Sequence, residues 1–213
     1  MHLKLGFFIL LLLFLSSYKI FANILPVSSG DIPNGVIGLY QTDKRITIYE
    51  KPNCLSKILL DKQIDYFDMM NIKTDDMFGL LVPQKELGYL YVVDTDDDWL
   101  CVIYNKNKNL KGWVYKNDDF QFLPWVNFYD LYGRKYGLEK LKNSPDGINE
   151  VHSQPDENSR IISKVIQPKQ IKLTSIEGNW MLVSILDYTG NIHTGYIQWR
   201  NINGQLYLFP IVK

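Results

Sequence analysis

Apolar and polar residues alternate along most of this chain, in runs of five to seven residues. In "RITIYE" (45–50) Ile46 and Ile48 stand between polar neighbours, the period-two pattern of a strand with one wet face. "GYLYVVD" (88–94), "WLCVIYN" (99–105), "KGWVY" (111–115), "WMLVSIL" (180–186) and "TGYIQW" (194–199) share that style. All are rich in aromatic and β-branched residues and are bounded by Asn, Asp, Gly and Lys clusters. Hairpin turns are expected at "NKNKNLKG" (105–112), "DYTGNIHTG" (187–195) and "SPDG" (144–147). One stretch reads as helix: Pro124 as its first residue, Trp125, Phe128, Tyr129 and Tyr132 at helical spacing, and Gly133 as its end. The pattern predicts a mainly β protein.

The first 22 residues follow a different rule. A charged start, "MHLK", precedes the apolar run "LGFFILLLLFL" and a polar exit, "SSYKIFAN". The run is too short for the roughly 20 residues of a membrane span, so residues 1–22 read as a secretory signal peptide, cut after Ala22. The expected location is secreted or periplasmic, with no membrane span after cleavage. Removing the leader leaves 21 basic residues against 23 acidic ones. Neither half is strongly basic, which argues against nucleic acid as a partner.

The chain also repeats itself. "IYEKPNCLSKIL" (48–59) aligns with "VHSQPDENSRII" (151–162), placing Pro52 on Pro155, Ser56 on Ser159 and Ile58 on Ile161. Farther on, Trp99 and Val102 align with Trp180 and Val183, and Gly112-Trp113-Val114 with Gly195-Tyr196-Ile197. The first copy is longer by about 22 residues, an insertion near 63–86.

This order of motifs resembles the bacterial SH3 domain (SH3b): a strand, then Pro and Ser, then Trp-x-x-Val, then Gly-aromatic-aliphatic. The second copy departs from it with Tyr196 where Trp is usual, and the first with its insertion. The resemblance implies two small SH3-like β-barrels, over 35–119 and 146–213, packed through an aromatic-rich connecting segment at 120–145. It further implies an exported, non-catalytic binding module that recognises cell-wall peptide or glycan (peptidoglycan), or an envelope protein. Such barrels bind extended ligands along aromatic grooves, which makes Tyr40, Tyr49, Tyr104, Tyr115 and Trp199 the candidate ligand-binding residues. Trp99, Trp113 and Trp180 are expected to be structural.

Two other readings compete with this one. A protein-only scaffold could use the 63–86 insertion, whose Met69, Met70, Met77 and Phe78 suit an adaptable apolar contact. A cell-wall hydrolase would need a site built on His152 or His193. No Cys-x-x-Cys, His-Glu-x-x-His or Gly-x-Ser-x-Gly motif is present. "DTDDD" (94–98) has Trp99 where a calcium loop needs glycine, so no metal, cofactor or catalytic residue is assigned. Cys54 and Cys101 are either a disulfide or two thiols.

Overall fold

The computed structural model describes residues 32–42, 45–64, 76–82, 87–142, 144–165 and 171–212. The leader, Met69 and Met70 lie outside the described residues. Strands account for 51% of the structure and helices for 8%, so the mainly β expectation holds. No helix among the described residues is long and apolar enough to cross a membrane.

Eight strands form the first sheet: β1 (Gly38–Thr42), β2 (Arg45–Tyr49), β3 (Ile58–Gln63), β4 (Leu80–Val82), β5 (Leu87–Asp96), β6 (Trp99–Asn105), β7 (Leu110–Tyr115) and β8 (Phe122–Pro124). Their order is β3-β2-β7-β6-β5-β1-β8, with β4 paired to β5. A short ribbon joins β9 (Leu138–Lys140) to β15 (Leu208–Pro210). The second sheet contains β10 (Glu150–His152), β11 (Ile161–Lys164), β12 (Lys172–Glu177), β13 (Trp180–Leu186) and β14 (Ile192–Gln198), in the order β11-β10-β14-β13-β12. None of the sheets closes into a barrel.

The first sheet's path from β3 to β5 and the second sheet's path from β11 to β12 are the same path. Tyr49 pairs with Trp113 where His152 pairs with Tyr196, and Trp99 pairs with Tyr115 where Trp180 pairs with Gln198. Register shifts fall at Ile48/Tyr49 and Val151/His152, and again at Val92/Asp94 and Leu173/Ser175. Even the turns match. Ser56 Oγ accepts from Lys51 N–H and donates to Lys51 O, and Ser159 Oγ does the same with Gln154. A serine recurs there because one hydroxyl can satisfy both backbone groups of a turn that leaves the ladder.

The glycine before each aromatic has a steric reason. A Cβ on Gly112 would lie 2.4 Å from Ile48 Cγ2 and 3.0 Å from the Tyr49 carbonyl oxygen. On Gly195 it would lie 2.6 Å from the His152 carbonyl oxygen and 2.7 Å from Val151 Cγ1. β7 crosses β2, and β14 crosses β10, at a distance that excludes any side chain.

Burial follows the alternation where only one face is covered: Ile46 and Ile48 in β2, and Met181, Val183 and Ile185 in β13, point inward. In β5 both faces are covered. Leu90 and Val92 join the first sheet's own core, while Tyr89 and Tyr91 join a second core shared with the other sheet. That shared core is aromatic. Trp125, Phe128 and Tyr129 are buried against Phe209 and Trp199, with Tyr129 and Trp199 ring centroids 4.6 Å apart. Trp125 Nε1–H donates to Val36 O at 2.7 Å, Trp199 Nε1–H to Gly178 O at 3.0 Å, and the Tyr129 hydroxyl to Leu208 O. Burial of Tyr129 pushes its hydroxyl well above the usual tyrosine range.

The helical segment differs from its expected limits. Pro124 ends β8 in extended conformation (φ −49°, ψ 151°), and helix starts at Trp125. α1 (Trp125–Phe128) runs through a π-helical turn (Tyr129–Gly133) into α2 (Arg134–Tyr136), and Gly137 ends it at φ 88°. Gly133 keeps helical angles (φ −64°, ψ −40°), and Leu138 packs 3.0 Å from where its Cβ would be. Two glycines four residues apart are both possible stops; packing selects the second.

In the expected insertion, Gln63 ends β3, Ile64 is buried, and Leu80–Val82 form β4. Met77 and Phe78, expected as an exposed partner surface, are buried in the first sheet's core at 7% and 2% exposure. The apolar character read as a contact surface closes this sheet's own core. Cys54 (exposed) and Cys101 (buried) are free thiols.

The two crossings set a testable expectation. Gly112→Ala and Gly195→Ala should each destabilise by about 1–3 kcal/mol, the usual effect of overpacking a filled site. Chemical denaturation of each variant measures it, and unchanged midpoints would mean that the strands separate freely.

Candidate functional site

The outward face of the β2–β7 crossing carries a groove of about 200 Å³. Arg45, Thr47 and Tyr49 alternate to the side of β2 opposite Ile48 and line the groove, and the buried Ile46 and Val114 reach its base. Tyr115, at the end of β7, stands beside them, with Tyr40 and Phe120 completing the walls. Tyr40 is 5% exposed and its hydroxyl accepts from Asn117 N–H at 3.0 Å, so it serves as floor.

Trp99 stands between the two outer tyrosines. Its ring meets Tyr49 edge-on at 5.5 Å and Tyr115 at 5.4 Å, each a favourable aromatic geometry contributing about 0.5–1.5 kcal/mol. The stack fixes Tyr49 while Tyr115 stays 55% exposed. On the rim, the Arg45 guanidinium donates two hydrogen bonds to the Asp61 carboxylate, at 2.9 and 2.7 Å. That bond holds the Asp61 carboxyl below its ordinary range and raises Arg45. The groove is therefore aromatic, with a neutralised charge pair at one end.

Three of the five sequence candidates meet here: Tyr40, Tyr49 and Tyr115. Tyr104, on β6, does not line the groove and packs against the first sheet's core. Trp199, expected to face a ligand, is fully buried. It follows β14 and lies in the core shared by the sheets, with the Arg200 guanidinium 4.5 Å from its ring. A strand-end aromatic looks the same in sequence whether it meets solvent or a second sheet. Arg45 and Phe120 were missed, although the alternation of β2 already put Arg45 on the same side as Tyr49.

The remaining reactive side chains are held apart. His193 Nε2, near the start of β14, lies 2.8 Å from Oδ2 of Asp187 in the loop after β13. The hydroxyl of Thr189, then His193, then backbone N–H groups of Asn191 and Thr189 hold the Asp187 carboxyl well below the usual carboxylate range. His152 Nδ1 lies 3.3 Å from the Ser159 carbonyl oxygen. Burial pushes the Cys101 thiol up, the reverse of an activated nucleophile. Among the described residues, no group of three or more His, Cys, Asp or Glu side chains could hold a metal ion. The "DTDDD" acids include the β5–β6 turn, where Asp97 adopts φ 44°.

No protein-family model matches the chain. No curated protein matches it either.

Two outcomes test these placements. Trp199→Ala should lower stability by about 3–5 kcal/mol as a buried ring is lost, whereas Tyr115→Ala, which removes only the edge contact with Trp99, should lower it by about 0.5–1.5 kcal/mol. Thermal melts of both variants decide between core and surface. Because the Asp187 carboxyl is depressed in the folded state, the stability it contributes is present above about pH 4 and lost as the pH falls. Asp187→Asn should flatten the fall in melting temperature between about pH 5 and 2, read from melts across that range.

Proposed function

We propose that this chain is an exported, non-catalytic binding module of two SH3-like units, and that it holds an extended cell-wall peptide or glycan in the Tyr49–Tyr115 groove. The observation that carries this reading is Trp99 standing edge-on between Tyr49 and Tyr115 along an open groove. Rings held in this way bury ligand area with little further loss of side-chain freedom. The neutralised Arg45–Asp61 pair leaves hydrogen-bonding capacity at the rim without a strong net field. Such a surface suits a polymer with alternating apolar and amide or hydroxyl faces.

The SH3-like assignment rests on the residues that carry the resemblance. They lie at corresponding places in both sheets: the Pro-Ser turn, the Trp that opens β6 or β13, and the glycine at each crossing. Export rests on the apolar leader alone. The scaffold reading loses support because Met77 and Phe78 are buried.

Co-sedimentation of the purified protein with insoluble peptidoglycan is the test. Saturable binding that survives moderate salt is expected, and Tyr115→Ala should weaken it about fivefold or more, as for a central aromatic contact. Protein that stays in the supernatant at every salt concentration would end the cell-wall reading.

A further inference from the structure

A second groove, of about 340 Å³, lies on the second sheet where the first sheet has the tyrosine groove. His152 takes the place of Tyr49 and Trp180 that of Trp99, and their rings meet edge-on at 5.3 Å as the first pair does. The chemistry of the walls differs. Asp146, Glu150, Glu157, Trp180 and Tyr207 line this groove with His152, and no lysine or arginine lines it among the described residues.

His152 is only 8% exposed. Its Nδ1 faces the Ser159 carbonyl oxygen at 3.3 Å, with Ser159 Oγ at 3.5 Å. A carbonyl only accepts, so Nδ1 donates to it and Nε2 is the ring nitrogen left over. Nε2 has no hydrogen-bond partner among the described residues. No fully enclosed side-chain nitrogen or oxygen among those residues lacks a partner, so Nε2 reaches solvent, and the ring lines the groove. The carboxylates reinforce that polarity. Asp146 has no ion pair among the described residues. Glu150 is 3.0 Å from Lys164 Nζ, and Glu157 accepts from Gln198 Nε2 at 3.2 Å. The groove presents acceptors, a partly exposed indole and the apolar Pro145 and Ile148.

We infer that this groove is a second ligand site, and that it takes a primary ammonium group on an aliphatic arm, as a lysine side chain of an extended peptide carries. The ammonium donates to the acceptor wall and lies against Trp180, where cation–π attraction adds to the charge pairing. The arm lies on the apolar residues. The inference does not depend on what the tyrosine groove binds.

The test uses the full chain, isotope-labelled for NMR, and two probes: Nα-acetyl-lysine methylamide and the same molecule acetylated on its side-chain nitrogen. The first probe should move the Trp180 indole N–H and Gly147 amide signals saturably, and the second should not. Asp146 is exposed, so Asp146→Asn keeps the fold, and it should weaken the first probe about fivefold, as expected for a partly screened charge pair. Tyr115→Ala should leave that titration unchanged, which separates this site from the tyrosine groove. Signals that stay still with the free amine, equal shifts from the acetylated probe, or an affinity untouched by Asp146→Asn would each overturn the assignment.

Discussion

Both grooves depend on two strands meeting without a side chain between them. At Gly112 and Gly195 the backbone of one strand passes against its neighbour so closely that even a methyl group has no room. In each five-strand path this contact joins the strand that comes first along the chain to the one that comes last. It also brings residues distant in sequence side by side: Tyr49 next to Trp99 and Tyr115, and His152 next to Trp180 and Gln198. The serine-bridged turn after β2 and after β10 holds the same corner from the other side. A groove built this way is set by backbone packing, so its side chains can change while its shape persists.

That freedom has been used. The first groove is lined by Tyr40, Tyr49, Tyr115 and Phe120, with Trp99 packed against two of the tyrosines and the Arg45 guanidinium tied to Asp61. In the second, an imidazole and carboxylates surround Trp180. Edge-on ring pairs at 5.5 and 5.3 Å occupy corresponding positions in the two.

The sheets form one body through an aromatic seam. Trp125, Phe128, Tyr129, Trp199 and Phe209 share a core to which Tyr89 and Tyr91 of the first sheet and Met181 and Val183 of the second also belong. Buried polar tips are all satisfied: the Trp125 and Trp199 indoles and the Tyr129 hydroxyl each donate to a carbonyl. Hydrogen-bonded rings favour a single arrangement over a sliding one, because any other packing strands a polar group in an apolar core. This requirement removes Trp199 from the surface and makes β5 apolar on both faces.

The residues alone determined β2, β5, β6, β7, β13 and β14, most of their limits and the doubling of the unit. Alternation, turn residues and the Pro-Ser and Gly-aromatic motifs are local signals, and their physics acts over a few positions. They also marked Tyr40, Tyr49 and Tyr115. Only the tertiary structure decided which aromatics stay wet. Tyr104 and Trp199 carry the same local pattern as Tyr115, yet one packs on the first sheet's core and the other is sealed by the second core. It also decided that Met77 and Phe78 close a core, that Gly137 and not Gly133 stops the helix, and that His152 lines a groove. Each of these depends on what a distant segment places opposite the residue, and period-two alternation carries no information about that partner.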